Sequence, residues 1–209
     1  MGAQLGFFGE GRRMLVDDAS GSIWYQPACV DPATASRWFE HLRESVSWNA
    51  QRRVMYDREV DVPRLTSGYR LDAQDVPDEL AEAAARVVAV TGVAFTNAGL
   101  NLYRDGHDSV APHNDHLYEI VEGYPIALLS LGATRRMTIR SKTRPRRVLD
   151  VDLEHGSLLV MSYETQRYYD HGVPKVAAAV GARISLAFRV RPSTSRPPGA
   201  LLRVTQIEA

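Results

Sequence analysis

Apolar residues recur at two spacings along the chain, and the change of spacing divides it. Trp38, Phe39, Leu42 and Val46 follow Asp31-Pro32 at helical intervals, which predicts a helix near 33–46 opened by an aspartate and a proline. Leu80, Ala83, Ala84, Val87 and Val88 repeat that spacing behind Asp75 and Pro77, predicting a second helix that ends before Gly92. Beyond it, to about 191, the period falls to two. Short β-rich runs at 95–103, 126–131, 137–139, 157–161 and 184–190 alternate with turn residues, the pattern of a sandwich, jelly roll or barrel. Residues 1–32 show no sustained period, and the tail from Pro192, with Pro197-Pro198-Gly199, reads as an extension running over the surface. The expectation is one α+β domain in three parts: a helical front over 1–92, a β body over 93–191 and an extension over 192–209.

Composition narrows the chemistry. With 44% hydrophobic residues in 209, the chain can bury a core, and its 25 basic and 25 acidic residues leave no global field. The excess of arginine over lysine is assigned to coding bias and carries no functional weight. Cys29 is the only cysteine, so an internal disulfide or a cysteine-based zinc cluster is excluded and any metal must use histidine and carboxylate. No apolar run approaches the roughly 18 to 20 residues of a membrane helix, and the opening residues lack the order of a signal peptide, so no membrane and a cytoplasmic location are expected.

Two features carry chemistry. His113-Asn114-Asp115 is an H-x-D triplet that chance would supply often, but with His171 downstream it completes a set of two histidines and a carboxylate, the facial triad of non-haem Fe(II) oxygenases. In the run 183–190, period two puts Arg183, Ser185, Ala187 and Arg189 on one face and Ile184, Leu186, Phe188 and Val190 on the other. The arginine face either meets solvent on an edge strand or points inward. Inward, two guanidinium groups require an anion, and a dicarboxylate answers that need. Asn101 and Tyr103 share a strand face in the same manner.

Read together, these parts resemble the AlkB family of Fe(II)- and 2-oxoglutarate-dependent dioxygenases, in the branch that includes the animal DNA-repair homologues. The carriers are Val62-Pro63-Arg64-Leu65, Asn101-Leu102-Tyr103, Asp108-Ser109-Val110, His113-Asn114-Asp115, the run 129–135, the run 155–161, His171 with Val173-Pro174-Lys175, and the run 183–189. The resemblance implies a double-stranded β-helix (jelly-roll) core with the helices packed on one side. It implies that His113, Asp115 and His171 bind Fe(II), and that Asn101, Tyr103, Arg183, Ser185 and Arg189 serve 2-oxoglutarate, with Arg183 on the distal carboxylate and O2 as cosubstrate. His155 and His107 are expected to be structural or free, and His116 to shape the pocket. The implied activity is oxidative demethylation of N-alkylated bases such as 1-methyladenine or 3-methylcytosine.

The substrate expectation has local support. Arg135, Arg136, Arg140, Lys142, Arg144, Arg146 and Arg147 place seven basic residues and no acidic one in thirteen positions, which suits phosphates. Arg64, Arg52 and Arg53 extend that patch, and Tyr69 or Tyr56 is expected to stack on a flipped base. The partner is then alkylated DNA or RNA, single-stranded or with the base flipped, met by a monomer. Two departures from the family pattern bear on substrate choice: Leu117 stands where many members carry an acidic residue, and the interval from Val62 to Pro77 leaves little room for a base-covering lid. The alternatives are an oxygenase of a small molecule or protein side chain, and a binding protein that has lost catalysis.

Overall fold

The computed structural model describes residues 11–55 and 58–192, with the side chains of 51–61 also left outside. Tyr56 and the extension from 193 therefore lie outside the described residues, as do the side chains of Arg52 and Arg53. In chain order the strands are β1 (Arg13–Asp18), β2 (Gly21–Gln26), β3 (Asn49–Met55), β4 (Arg58–Arg70), β5 (Asn97–Tyr103), β6 (Val110–His113), β7 (Ile126–Gly132), β8 (Arg135–Ser141), β9 (Val148–Leu153), β10 (Leu158–Met161), β11 (Tyr169–Val173) and β12 (Arg183–Arg189). The helices are α1 (Pro32–Ser45), α2 (Asp78–Thr91) and the single turn α3 (Thr165–Tyr168).

Both long helices form where apolar spacing puts them. Asp31 caps α1, its carboxylate accepting from the Thr34 amide at 3.0 Å, and Pro32 supplies a first-turn φ at no cost in hydrogen bonds. Helix α2 ends at Gly92 in the left-handed region, φ 71°. Trp38, Leu42, Leu80, Ala83 and Val87 bury against one face of the larger sheet, where they meet Leu100, Leu129, Ile184, Leu186 and Phe188. Glu82 ties the two helices by accepting from Trp38 Nε1 at 2.7 Å and Arg37 Nη2 at 2.6 Å.

The larger sheet has eight antiparallel strands in the order β1-β2-β10-β7-β12-β5-β4-β3, and the smaller has four in the order β6-β11-β8-β9. A second apolar cluster, including Tyr25, Ile126, Met137, Ile139, Leu153 and Tyr169, fills the space between them. Helices on one side of two facing sheets is the expected jelly-roll arrangement. The helical front is corrected in one respect: residues 13–70 also supply β1 to β4, half the larger sheet. β1 escaped a reading of periodicity because only Val16 of its six residues is buried, and β4 because Pro63 and Gly68 interrupt it. The interval expected as a short lid is strand as far as Arg70, with residues 65–70 paired to β5 from Leu65↔Leu102 to Arg70↔Asn97.

Strand β12 lies between β7 and β5, so the edge-strand alternative is removed. Ile184, Leu186 and Phe188 face the helices, and period two turns Arg183, Ser185, Ala187 and Arg189 toward the smaller sheet.

Candidate metal and carboxylate site

The H-x-D turn leaves the end of β6, and β11 runs antiparallel to it with His171 opposite His113. Gly172 permits this approach: a Cβ there would stand 2.9 Å from Pro112 N and Val110 O, closer than real contacts allow. The two imidazoles have centroids 4.6 Å apart. His113 Nδ1 lies 3.0 Å from the Ala111 carbonyl, which can only accept, so Nδ1 carries the proton and Nε2 is left as a ligand atom. One ligand atom each from His113, Asp115 and His171 falls within 4.8 Å of the others, a set that could hold a metal ion. Burial, then the neighbouring His113, pushes the His171 pKa down to about 4, which keeps its imidazole neutral. Burial works to raise the Asp115 pKa, but Arg189 and the two histidines outweigh it and the carboxyl titrates below its ordinary value. Both are the ligating protonation states.

Two side chains from other elements hold the turn. Gln166, buried on α3, accepts from the Asp115 amide at 3.0 Å. Lys142, in the loop after β8, donates to Asn114 Oδ1 at 2.7 Å and to the Gln166 carbonyl at 3.0 Å. Neither was singled out for this position by sequence. Gln166 sits in a single helical turn with no period, and Lys142 was counted with the basic run. Arg189 forks onto Asp115 Oδ2, at 2.7 Å from Nε and 2.6 Å from Nη2, so its observed partner is the carboxylate of the turn.

Along β12 from Arg189 lies Arg183, 1% exposed, whose Nη2 donates to Ser130 Oγ at 2.8 Å. Its Nε and Nη1 are buried with no hydrogen-bond partner. A guanidinium remains charged even where burial lowers its pKa, so this is a buried cation with two unanswered donors. The Tyr103 ring stands 5.2 Å from its Cζ, and Ser185 and Asn101 occupy the next register position on the same faces. Arg64 reaches this wall, donating from Nε to Asn101 Oδ1 at 2.8 Å.

The basic run separates into inward and outward residues. Arg135, expected among phosphate contacts, is corrected: it is 2% exposed, because period two on β8 turns it inward, and it donates to the carbonyls of Asp105, Asp108 and Pro174 at 2.8 to 2.9 Å. Arg136 pairs with Asp152 and Arg147 with Asp18. Arg140, Arg144 and Arg146 are exposed, with no ion pair among the described residues. Tyr69 is also corrected: it shares the face of Leu65 and Leu71 and packs against the helical core, away from the triad. His116 is exposed and stacked on Tyr118, with centroids 5.2 Å apart and planes 17° from parallel. Leu117 packs toward the inner cluster, while Glu119 pairs with Arg191. His155 is structural, accepting from the Gly132 amide at 2.9 Å and meeting Ser36 Oγ at 3.2 Å. His107 is exposed beside Asp105.

Residues 22–189 match the model of the 2OG-Fe(II) oxygenase superfamily. The chain is 38% identical over 119 residues to the DNA oxidative demethylase ALKBH2 of Bos taurus, covering 53% of this chain and 43% of that protein. It is 32% identical over 193 residues to the alpha-ketoglutarate-dependent dioxygenase alkB homolog 3 of Rattus norvegicus, covering 83% of this chain and 65% of that protein. The human ALKBH2 is 36% identical over 110 residues. The aligned part thus spans less than half of the bovine and human ALKBH2 proteins and just under two thirds of the rat homolog.

Proposed function

This chain belongs to the 2OG-Fe(II) oxygenase superfamily, and on that premise we propose that it is an oxidative demethylase of N-alkylated nucleic acid bases, of the 1-methyladenine and 3-methylcytosine kind. The observation that carries this reading is the pairing, on facing sheets, of the His113-Asp115-His171 triad with the buried, unanswered donors of Arg183. The donor set suits Fe(II), which takes two imidazoles and one carboxylate and keeps positions for other ligands. The second feature suits the cosubstrate, because Arg183 Nε and Nη1 match the two oxygens of a carboxylate.

His113, Asp115 and His171 would hold the iron, and Arg183 with Ser130 the distal carboxylate of 2-oxoglutarate. Tyr103 and Asn101 offer neutral hydrogen bonds along its length. When bound, the iron supplies oxidation of an N-methyl C–H by O2, with 2-oxoglutarate leaving as succinate and CO2 and the hydroxymethyl group leaving as formaldehyde. Arg189 fixes one oxygen of Asp115, so the carboxylate presents the other toward His113. Gln166 holds the backbone of the turn at Asp115, and Lys142 ties the Asn114 side chain to Gln166. The substrate assignment rests on the names of the relatives and on the exposed Arg140, Arg144 and Arg146, which favour phosphates. A monomer acting in the cytoplasm on single-stranded DNA or RNA, or on a flipped base, belongs to the same proposal.

The test supplies Fe(II), 2-oxoglutarate and O2 with short strands carrying 1-methyladenine or 3-methylcytosine, and follows strand mass and succinate together, with His113→Ala as control. One methyl lost per succinate, absent in the control, is expected. Succinate without methyl loss would move the substrate to another class.

A further inference from the structure

A groove of about 940 Å³ opens beside the site, lined by Arg70, Asp72, Asn97, Tyr118, Glu119 and Arg191 among others. It shares Arg70, Asn97 and Arg191 with a smaller hollow that contains Arg189, the partner of Asp115. The groove therefore adjoins the hollow whose Arg189 pairs with the triad's carboxylate. Tyr118 is 77% exposed, the most exposed large hydrophobic among the described residues. It follows Asp115 by three residues, a reach of at most about 10 Å, which is on the order of a few nucleotide steps along a strand.

The charges of this groove select its occupant. Arg70 is answered by Asp72 at 2.7 Å and Arg191 by Glu119 at 3.1 Å, so the walls are neutral in sum and do not form a phosphate trap. An exposed ring backed by the stacked imidazole of His116 and a neighbouring amide suit a flat, uncharged group with hydrogen-bonding edges. Asn97 Oδ1 accepts from Thr96 Oγ1 at 2.9 Å, while its Nδ2 donates to nothing among the described residues. We propose that Tyr118, held by His116, stacks on the base of the nucleotide adjoining the one that enters the site, and that Asn97 Nδ2 donates to that base's edge. This rests on the nucleic acid reading above and adds a subsite to it: affinity for a strand comes partly from a neighbour that is never oxidised.

The test uses the full chain with Mn(II) in place of iron and 2-oxoglutarate added, so that nothing turns over, and a short unmethylated single strand carrying 2-aminopurine. Wild type is expected to bind the strand and quench the probe by stacking. Tyr118→Ala is expected to bind about tenfold more weakly and lose the quench, and Tyr118→Phe, which keeps the ring, to restore both. Equal binding and quenching by Tyr118→Ala, or a loss in Tyr118→Phe as large as in the alanine variant, would overturn the proposal, as would a wild type that binds no strand. Methyl loss from modified strands is measured separately. An active wild type indifferent to Tyr118 sinks only the subsite, whereas an inactive one sinks the parent reading.

Discussion

Arginine appears in this molecule in two opposite situations. On β12 and β8, Arg183 and Arg135 are almost wholly buried, and their donors are either matched to fixed acceptors or left in demand. On the loop between β8 and β9, Arg144 and Arg146 stand in solvent with no fixed partner among the described residues. An exposed cation contributes a field that salt screens, and its removal changes little else. A buried cation without its anion is destabilising, so its presence identifies a ligand by what is missing. The difference teaches that the number of arginines in a stretch says less than the number of their hydrogen-bond donors left unanswered.

Replacing Arg183 with Met gives the largest expected effect and tests the comparison most directly. Affinity for 2-oxoglutarate should fall by at least about a hundredfold, while the ligand-free protein gains about 1 kcal/mol or more in urea unfolding, since an uncompensated charge has been removed. Loss of both binding and stability would mean that Arg183 is a satisfied structural residue. Arg135→Met should do the reverse, destabilising the fold by about 3 kcal/mol because three carbonyls lose their donor, with cosubstrate affinity changing less than stability.

Lys142 is the case between. It lies in the exposed loop yet spends its ammonium inward, so Lys142→Met should weaken Co(II) binding, read from the visible spectrum, by about tenfold. The salt dependence of strand binding should hardly move. Acid acts on the strand opposite the H-x-D turn. The His171 pKa in the folded protein is about 4 against 6.5 when free, so the unfolded chain binds the extra proton. Stability of the metal-free protein is then full above about pH 6.5 and declines as pH falls toward 4, and melting temperatures across that window should show it. The smallest effect belongs to Arg144→Glu with Arg146→Glu. Strand binding should weaken and lose salt dependence by a slope of about 0.7 per phosphate contact removed, with stability unchanged within about 0.5 kcal/mol.

Sequence made the inward parts legible where period and residue type agreed. The inner face of β12, the triad and the first turn of α1 could be read because alternation and capping chemistry are local, whereas α2 starts at Asp78, after Pro77, with no side-chain cap. Arg135 and Tyr69 were misplaced for a single reason: each was assigned by its side chain's chemistry before the face of its strand was settled, and a one-residue step reverses that face. Lys142 and Gln166 stayed invisible because their role consists of hydrogen bonds to residues 24 to 51 positions away. The extra strands of the front lacked a signal because only their pairing, as in β4 with β5, makes them strands.

The central place of β12 has a thermodynamic consequence. Its residues are paired on both sides, to β5 over the whole strand and to β7 over all but the last residue, so its amides should exchange with solvent only when the whole domain opens. A ligand gripped by Arg183 is then lost with the domain itself rather than with a fraying segment. Saturation with 2-oxoglutarate should slow exchange across both sheets and raise the melting temperature of the entire protein by mass action, including elements far from the ligand.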